Sequence, residues 1–151
     1  MVNKTNQILD KKDLTLIDEL RKDSKLSEQK LARKTGIPMT TVHNRLRKLR
    51  GLGVIKKYTI SLDYAKLGRP LVAYVLVKAV PGIDQRQLFI QIAGMPNICE
   101  AAMVAGDFDI LFKARVSSME ELNDLLVGDL RKQKVVGDAR TVISYETIEN
   151  P

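Results

Sequence analysis

The sequence contains few of the residues on which most enzymes and metal proteins depend. Its 151 residues include one cysteine, Cys99, and one histidine, His43. A lone cysteine excludes a disulfide within the chain, and the apolar neighbours of Cys99 predict a buried structural thiol. A lone histidine leaves no cluster of metal ligands and no ordinary histidine-based catalytic triad. We therefore expect no metal site and no histidine-based catalysis.

The sequence also lacks long hydrophobic runs. The longest, around residues 71–77, is far shorter than the roughly 20 apolar residues that span a bilayer. No hydrophobic signal-peptide segment follows Met1, so we expect a cytoplasmic protein. The hydrophobic content of 44% is ordinary for a globular protein and predicts a packed core. The length is sufficient for two compact subdomains.

Positive charge is in excess, and it is unevenly distributed. The formal net charge is +7, yet residues 1–69 contain 17 Lys and Arg against 7 Asp and Glu, whereas the remainder contains 8 against 11. This asymmetry predicts a polyanionic partner for the N-terminal half. An anionic membrane would need an exposed amphipathic helix with aromatic anchors, and here the apolar stripe is needed for the core. Nucleic acid is therefore the favoured partner.

Residues 27–52 predict two short helices joined by a tight turn. Ser27 can accept a hydrogen bond from a free N–H of the first turn, and Gly36 can adopt the left-handed conformation that ends a helix. The second helix carries Val42, Leu46 and Leu49 at the spacing of an apolar stripe. This arrangement is typical of a helix-turn-helix, whose second helix, the recognition helix, enters the DNA major groove.

The face of the recognition helix opposite the apolar stripe is polar and cationic. The amide of Asn44 can pair with an adenine edge and an arginine with guanine, while hydroxyls and lysines suit phosphates. We expect Thr41, Asn44 and Arg47 to read bases. The expected phosphate contacts are Arg45, Lys48, Arg50, Lys56 and Lys57. The alternative is a surface helix with a merely solvated charged face. The full set of candidate DNA-binding residues is Thr40, Thr41, Asn44, Arg45, Arg47, Lys48, Arg50, Lys56 and Lys57.

A third helix precedes this pair. Asp10 can cap it, it is expected to run to about Lys22, and its apolar stripe would include Leu14, Ile17 and Leu20. The three helices would then share a small core. We predict a winged-helix-like helix-turn-helix domain over residues 1–53.

Residues 54–70 are predicted to connect two domains. Tyr58, Ile60 and Leu62 alternate imperfectly with polar residues, as expected for an extended linking strand. Gly68 and Pro70 then indicate a hinge. The second domain would comprise residues 71–151.

The second domain predicts the element order β-α-β-β-α-β. The strands are expected at LVAYVLVKA, ICEAAMVA, FDILFKARV and RTVISYETI. Leu88, Phe89 and Ile92 face inward on the first helix, and a capping box of Ser118 and Glu121 opens the second. The fold class is therefore α+β, with a C-terminal ferredoxin-like βαββαβ domain.

The first two strands of the predicted sheet are apolar on both faces, so one apolar face would be left uncovered. Helices would cover only one face, and the first strand has Val72, Tyr74 and Leu76 on one side and Leu71, Ala73, Val75 and Val77 on the other. Large exposed apolar patches are rare on monomers. We therefore expect a homodimer through this domain. Its two helix-turn-helix units would reach DNA half-sites about one helical turn, or a multiple, apart.

The sequence resembles the Lrp/AsnC (feast/famine) family of prokaryotic transcriptional regulators over residues 9–148. The resemblance rests on LDKKDLTLIDELRKDSKLS, QKLARKTGI and TTVHNRLRKLRGLGVIKKYT in the first half. In the second half it rests on YVLVKA, PNICEAAMVAGDFDILFKA and RTVISYETI. The LRGLGVIKKYT junction and the GDFD turn together are fairly specific.

This resemblance implies a regulator of double-stranded DNA, not an enzyme, which needs no cofactor and has a C-terminal domain for amino-acid effectors. Members of the family typically form dimers that often assemble into octamers, and their effectors lie between dimers near the GDFD turn. The implied effector residues are Val104, Gly106, Asp107 and Asp109. A glycine allows close approach to the backbone, and carboxylates can receive an α-ammonium group. The alternative is an ordinary hairpin turn, with Asp109 facing solvent or a lysine.

One motif departs from the family pattern. Family members commonly begin the recognition helix with Ser-Pro, where this sequence has Pro38 and Met39. Pro38 offers no side-chain oxygen, so the usual N-cap bond is missing unless Thr40 supplies it. The start of the helix, and with it the base contacts, depends on this position.

Two other functions remain open. Some proteins that resemble this family are sirohaem decarboxylases, but these require histidine or other basic groups in the C-terminal cleft, and His43 lies on the recognition helix. A βαββαβ domain can also bind RNA. The C-terminal half here is net acidic and lacks the aromatic RNA-binding signature of such domains.

Overall fold

The computed structural model describes residues 9–130, 132 and 134–148. The first eight and last three residues, which fall within the predicted domain ranges, lie outside this description. The described chain divides into two compact units between Ser61 and Leu62. The narrower boundaries expected on either side of residues 54–70 stay predictions.

Within the described residues three helices form the first unit, and their ends follow the predicted capping residues. The Asp10 side chain accepts hydrogen bonds from the N–H groups of Lys12 and Asp13. The Ser27 hydroxyl accepts one from the N–H of Lys30, and Gly36 ends the next helix in the left-handed conformation, with φ of 69°. The helices are α1 (Lys11–Lys22), α2 (Glu28–Thr35) and α3 (Met39–Gly51).

The core of this unit confirms the predicted stripe of α3 but corrects that of α1. Leu14, predicted to face inward, is 51% exposed, whereas Leu16 is fully buried. The sequence of α1 fits two helical stripes, of which the buried one includes Asp13. Because Asp13 is charged, a search for apolar periodicity does not identify this stripe. The buried core consists of Leu16, Leu20, Leu31, Ile37, Val42, Leu46 and Leu49.

The predicted linking strand has no strand partner among the described residues. Residues 54–63 include no paired strand, and Tyr58, Ile60 and Leu62 are exposed. A β-strand forms only when its backbone groups pair with a neighbour, which the apolar alternation alone does not supply. The Ser24 hydroxyl donates a hydrogen bond to the carbonyl of Thr59, 3.3 Å away.

The second unit has the predicted β-α-β-β-α-β order. Its strands form one antiparallel sheet in the order β2-β3-β1-β4, the ferredoxin-like arrangement. The last helix begins as α-helix and continues as a wider π-helix over Asp124–Leu130. The elements are β1 (Leu71–Ala79), α4 (Gln85–Ala93), β2 (Ile98–Met103), β3 (Ile110–Val116), α5 (Met119–Asn123, with its π-helical continuation) and β4 (Val136–Ser144).

The helices cover one face of the sheet, and Phe112 lies in the middle of the core between them. Phe112 is 1% exposed and is paired with Val75 of β1 and Ala101 of β2. The predicted inward residues of α4, which are Leu88, Phe89 and Ile92, pack against this face, as do leucines of the last helix. The buried core residues of the unit are Ala73, Val75, Val77, Ala79, Leu88, Ile92, Ile110, Phe112, Ala114, Val116, Leu122, Leu125 and Leu130.

The last strand begins and ends four residues earlier than predicted. It was expected over residues 140–148, but its pairing with β1 runs from Val136 opposite Ala79 to Ser144 opposite Val72. Gly137 lies inside the strand, beside an irregularity in the pairing between Lys78 and Ala79 of β1. The partner strand β1, which pairs with β3 on its other side over residues 71–77, therefore fixes this register.

Two further local predictions are corrected. Cys99 is exposed, because β2 is an edge strand and its pairing with β3 is irregular between Ile98 and Glu100. The capping box is formed in part. The Ser118 hydroxyl accepts from the N–H of Glu121, but the Glu121 carboxylate binds the N–H and hydroxyl of Ser117, each at 2.6 Å.

The face of the sheet without helices combines apolar and charged side chains. Val72 is buried there, Tyr74 and Leu76 are partly buried, and Val142 is 56% exposed. The Arg115 guanidinium lies over the ring of Tyr64, 4.2 Å from its centroid. This face, the open face, is thus less uniformly apolar than predicted.

Candidate nucleic-acid interface

The recognition helix α3 places most of its predicted DNA-binding residues on the surface. Its buried side faces α1 and α2 through Val42, Leu46 and Leu49. Thr41 and Arg45 are partly buried at the edges of the outer face. The exposed residues of this predicted set are Thr40, Asn44, Arg47, Lys48 and Arg50.

The first turn of α3 has no side-chain cap. Pro38 occupies the N-cap position, and neither it nor Thr40 supplies a capping hydrogen bond. The preceding helix nevertheless fixes the start of α3, because Gly36 turns the chain and the next residue, Ile37, is buried in the core. The departure from the family motif therefore removes the N-cap hydrogen bond of α3, and packing of Ile37 in the core determines where the helix begins.

A cluster of charged side chains joins α1 to α3. The Nη1 atom of Arg45 lies 2.6 Å from Oδ2 of Asp10 and 2.8 Å from Oδ1 of Asp13. The Nζ atom of Lys48 lies 3.4 Å from Oδ2 of Asp13. The Asp13 side chain is fully buried, whereas that of Asp10 is 54% exposed. Arg45, predicted to contact phosphate, thus has two carboxylate partners in its own domain.

These contacts keep the cluster ionised. The hydrogen bond from Arg45 holds the pKa of Asp10 below its ordinary value. Burial opposes ionisation of Asp13, but the hydrogen bonds from Arg45 and from the Asp10 backbone outweigh it, so the pKa of Asp13 is also lowered. The same two carboxylates raise the pKa of Arg45. At neutral pH both acids are therefore charged.

Sequence reasoning missed Asp13 as a site residue. The only local signal was its place three residues after the N-cap, where an acid can bond back to the N-cap N–H, and it does so at 3.1 Å. Asp13 also accepts a hydrogen bond from Arg45 of α3, more than thirty residues later in the chain, and no local sequence pattern predicts this contact.

His43, at an exposed position on α3, contacts a Glu28 carboxylate oxygen through Nδ1 at 3.1 Å.

Two predicted phosphate contacts lie outside the helices. Lys56 and Lys57 are both exposed in the extended segment that follows α3. The recognition helix ends at Gly51, and the N–H groups of Val54 and Ile55 donate to the carbonyl of Leu49. The start of this segment is thus tied to the end of α3.

The predicted effector residues surround one hairpin turn of the second unit. The N–H of Val104 donates to the carbonyl of Asp109 at 2.9 Å, and Gly106 has φ of 140°, which other residues rarely adopt. Asp107 is exposed. The two carboxylate oxygens of Asp109 accept hydrogen bonds from the N–H of Ala79 and the amide of Gln85, at 2.8 and 2.9 Å. Asp109 thus binds its own fold at this turn.

Two searches of the described residues concern other classes of site. Across residues 9–130, 132 and 134–148, no three His, Cys, Asp or Glu side chains are placed to hold a metal ion. Within the same ranges, no helix has both the length and the apolar content needed to cross a membrane.

Comparison with known proteins identifies both halves of the chain. Residues 9–50 match the AsnC-type helix-turn-helix domain, and residues 72–150 match the Lrp/AsnC ligand binding domain. Together these matches cover most of the chain and confirm the predicted resemblance.

Similar proteins extend over almost the whole chain. An HTH-type transcriptional regulator of Pyrococcus furiosus is 39% identical over 145 residues, 95% of this chain and 97% of the relative. The leucine-responsive regulatory protein of Haemophilus influenzae is 33% identical, over 99% of this chain and 91% of the relative. The structure of LrpC from Bacillus subtilis has a TM-score of 0.82 and 30% identity, covering 95% and 99% of the two chains. This chain therefore belongs to the Lrp/AsnC family and is an HTH-type transcriptional regulator with a ligand-binding domain, not an enzyme.

Proposed function

We propose that the protein binds specific DNA sequences through the exposed face of α3. In this proposal Thr41, Asn44 and Arg47 contact base edges, because amide and guanidinium groups suit adenine and guanine. The observation that carries it is that Asn44 and Arg47 are exposed on the side of α3 opposite its buried stripe. Hydroxyl and cationic groups around them suit phosphates. The proposed phosphate contacts are Thr40, Lys48, Arg50, Lys56 and Lys57.

We also propose a homodimer, with further assembly to an octamer. The open face presents Tyr74 and Val142 as neighbours on paired strands, and Val142 is more than half exposed. Residues 54–63 add the exposed side chains of Tyr58, Ile60 and Leu62. Burying these apolar groups against a second copy supplies the driving force for association. A dimer also matches two recognition helices to two DNA half-sites.

An amino acid is the effector that we propose for the second unit, bound between dimers at the turn of residues 104–109. The leucine-responsive name of the Haemophilus influenzae relative supports this class of ligand. Asp107 would receive the α-ammonium group, because it is exposed and carries a carboxylate. Gly106 would allow close approach to the backbone, and Asp109 would hold the turn against Ala79 and Gln85.

Repeated selection from a pool of random duplexes tests the DNA-binding proposal. The full-length protein should enrich one sequence, hereafter the selected duplex, with two related half-sites. Its affinity, measured by fluorescence anisotropy at fixed salt, should exceed that for a duplex of scrambled sequence by at least about a thousandfold. Enrichment of no sequence, with equal affinity for all duplexes, contradicts the proposal.

A thermal-shift screen of the twenty amino acids tests the effector proposal. A ligand that binds only the folded protein raises its apparent stability by mass action, by about 2.7 kcal/mol at a hundred times its dissociation constant. At least one amino acid should raise the melting temperature, and Asp107→Asn should reduce that shift. Asp138→Asn, at an exposed position on β4, is the matched control. No shift with any amino acid contradicts the proposal.

A further inference from the structure

We propose that Asp10 and Asp13 are positioning residues for DNA recognition, which hold α3 through Arg45 so that Arg45 acts within the domain and not on a phosphate. This inference rests on the proposed function and deepens it. The observation behind it is the placement of one guanidinium nitrogen of Arg45 within 2.8 Å of both carboxylates.

The contacts of Asp13 make the arrangement rigid. Its Oδ1 atom accepts from Arg45, and its Oδ2 atom accepts from the N–H of Asp10 at 3.1 Å and lies 3.4 Å from Nζ of Lys48. One buried carboxylate therefore connects the start of α1 with two cations that lie almost one turn apart on α3. A buried charge without a partner is strongly unfavourable, so rotation or sliding of α3 that breaks these contacts is opposed.

The same contacts determine where the proposed base-reading groups lie. Arg45 is adjacent to Asn44 and two residues before Arg47, so any rotation of α3 that moves Arg45 moves both. Bidentate bonds to a base edge require donor–acceptor distances near 2.9 Å and good alignment, which a small rotation destroys. The Arg45 side chain is 21% exposed, and its Nη1 atom is already engaged by both carboxylates.

The proposal reverses the expected sign of a charge mutation. Neutralising an acid in a DNA-binding domain normally strengthens binding to all DNA, because it makes the surface more positive. If Asp10 and Asp13 position α3, neutralising either of them should instead weaken binding to the selected duplex. Binding to the scrambled duplex, which depends on charge and not on base contacts, should stay the same or become tighter.

Asp10→Asn is the principal variant, because asparagine retains the oxygen that caps α1 and removes the charge that faces Arg45. Asp13→Asn is the second variant. Asp18→Asn is the matched control, since Asp18 is an exposed acid on the same helix. Each full-length variant is compared with the parent chain by anisotropy on both duplexes, at least 20 °C below its melting temperature measured by circular dichroism.

We expect Asp10→Asn and Asp13→Asn to lower affinity for the selected duplex by about tenfold or more without lowering affinity for the scrambled duplex. Asp18→Asn should slightly raise the affinity for both duplexes. If Asp13→Asn does not fold, Asp10→Asn decides the matter. The positioning role is contradicted if Asp10→Asn raises the affinity for both duplexes equally, as Asp18→Asn does. It is also contradicted if a folded variant binds both duplexes equally more weakly.

The salt dependence of binding tests the role of Arg45 independently. Arg50→Gln removes a proposed phosphate contact and should reduce the slope of log K against log salt by about 0.9. Arg45→Gln should leave this slope unchanged and reduce the preference for the selected duplex. An equal fall in slope for both variants would assign Arg45 to phosphate and overturn the inference. Enrichment of no sequence from the random pool would contradict the proposed function itself, and is therefore a distinct failure.

Discussion

Phe112→Ala is expected to destabilise the second unit by about 3–5 kcal/mol, the usual loss when a buried phenylalanine is truncated in a core that cannot collapse. The ring is 1% exposed, and strands pair with β3 on both sides of it. Relaxation of the backbone around the cavity is thus restricted. Equilibrium unfolding in urea, followed by far-ultraviolet circular dichroism, measures the loss.

Phe108→Ala is the matched control for this variant. Phe108 precedes β3 and is partly exposed, and its ring lies 5.4 Å from the Arg140 guanidinium carbon. Removing it leaves no closed cavity, so the loss should be less than about 2 kcal/mol. Equal losses for the two variants would contradict the assignment of Phe112 to the centre of the core.

Arg47→Ala is expected to weaken binding to the selected duplex by about 1–3 kcal/mol and to relax the preference at one base pair. The physical reason is the loss of a bidentate contact that only one base edge can complete. Anisotropy titrations on the selected duplex and on variants changed at single base pairs would locate the affected position.

Lys57→Ala tests a proposed phosphate contact, for comparison with the proposed base contact of Arg47. A lysine that contacts only phosphate should weaken all duplexes about equally and reduce the salt slope by about 0.9. Lys57 is exposed in the segment after α3, which is consistent with that role. Equal losses on selected and scrambled duplexes for Arg47→Ala would refute its assignment to base reading.

Much of the fold could be predicted because local signals determine the ends and types of its elements. Asp10, Ser27 and Gly36 act at helix ends as their side chains and backbone preferences require. The stripe of α3 is uninterrupted by charge, so its periodicity identifies the buried face. The βαββαβ order followed from the alternation of apolar strands and helical patterns.

The errors occurred where a distant partner decides the outcome. The register of β4 depends on its pairing with β1, and the exposure of Cys99 depends on the edge position of β2. The choice between Leu14 and Leu16 depends on Asp13, whose burial requires a cation from α3. Periodicity within one element contains no information about any of these partners.

In the candidate site too, local sequence predicts some features, whereas distant partners determine others. The outer face of α3 follows from the position of its buried stripe, and the structure places Asn44 and Arg47 there. Arg45 resembles its neighbours in sequence, yet its partners are carboxylates of α1. The cationic count of a helix therefore overestimates the number of its side chains that are available to DNA.

The π-helix over Asp124–Leu130 bears on how the length of this chain can vary. Leu125 and Leu130 are five residues apart, and both are buried in the core. An ordinary α-helix would present two such leucines four residues apart. Deletion of one residue between them, such as the exposed Val127, would restore α-helical spacing while keeping both leucines in place. This helix can thus lose one residue over evolution at little cost to the core.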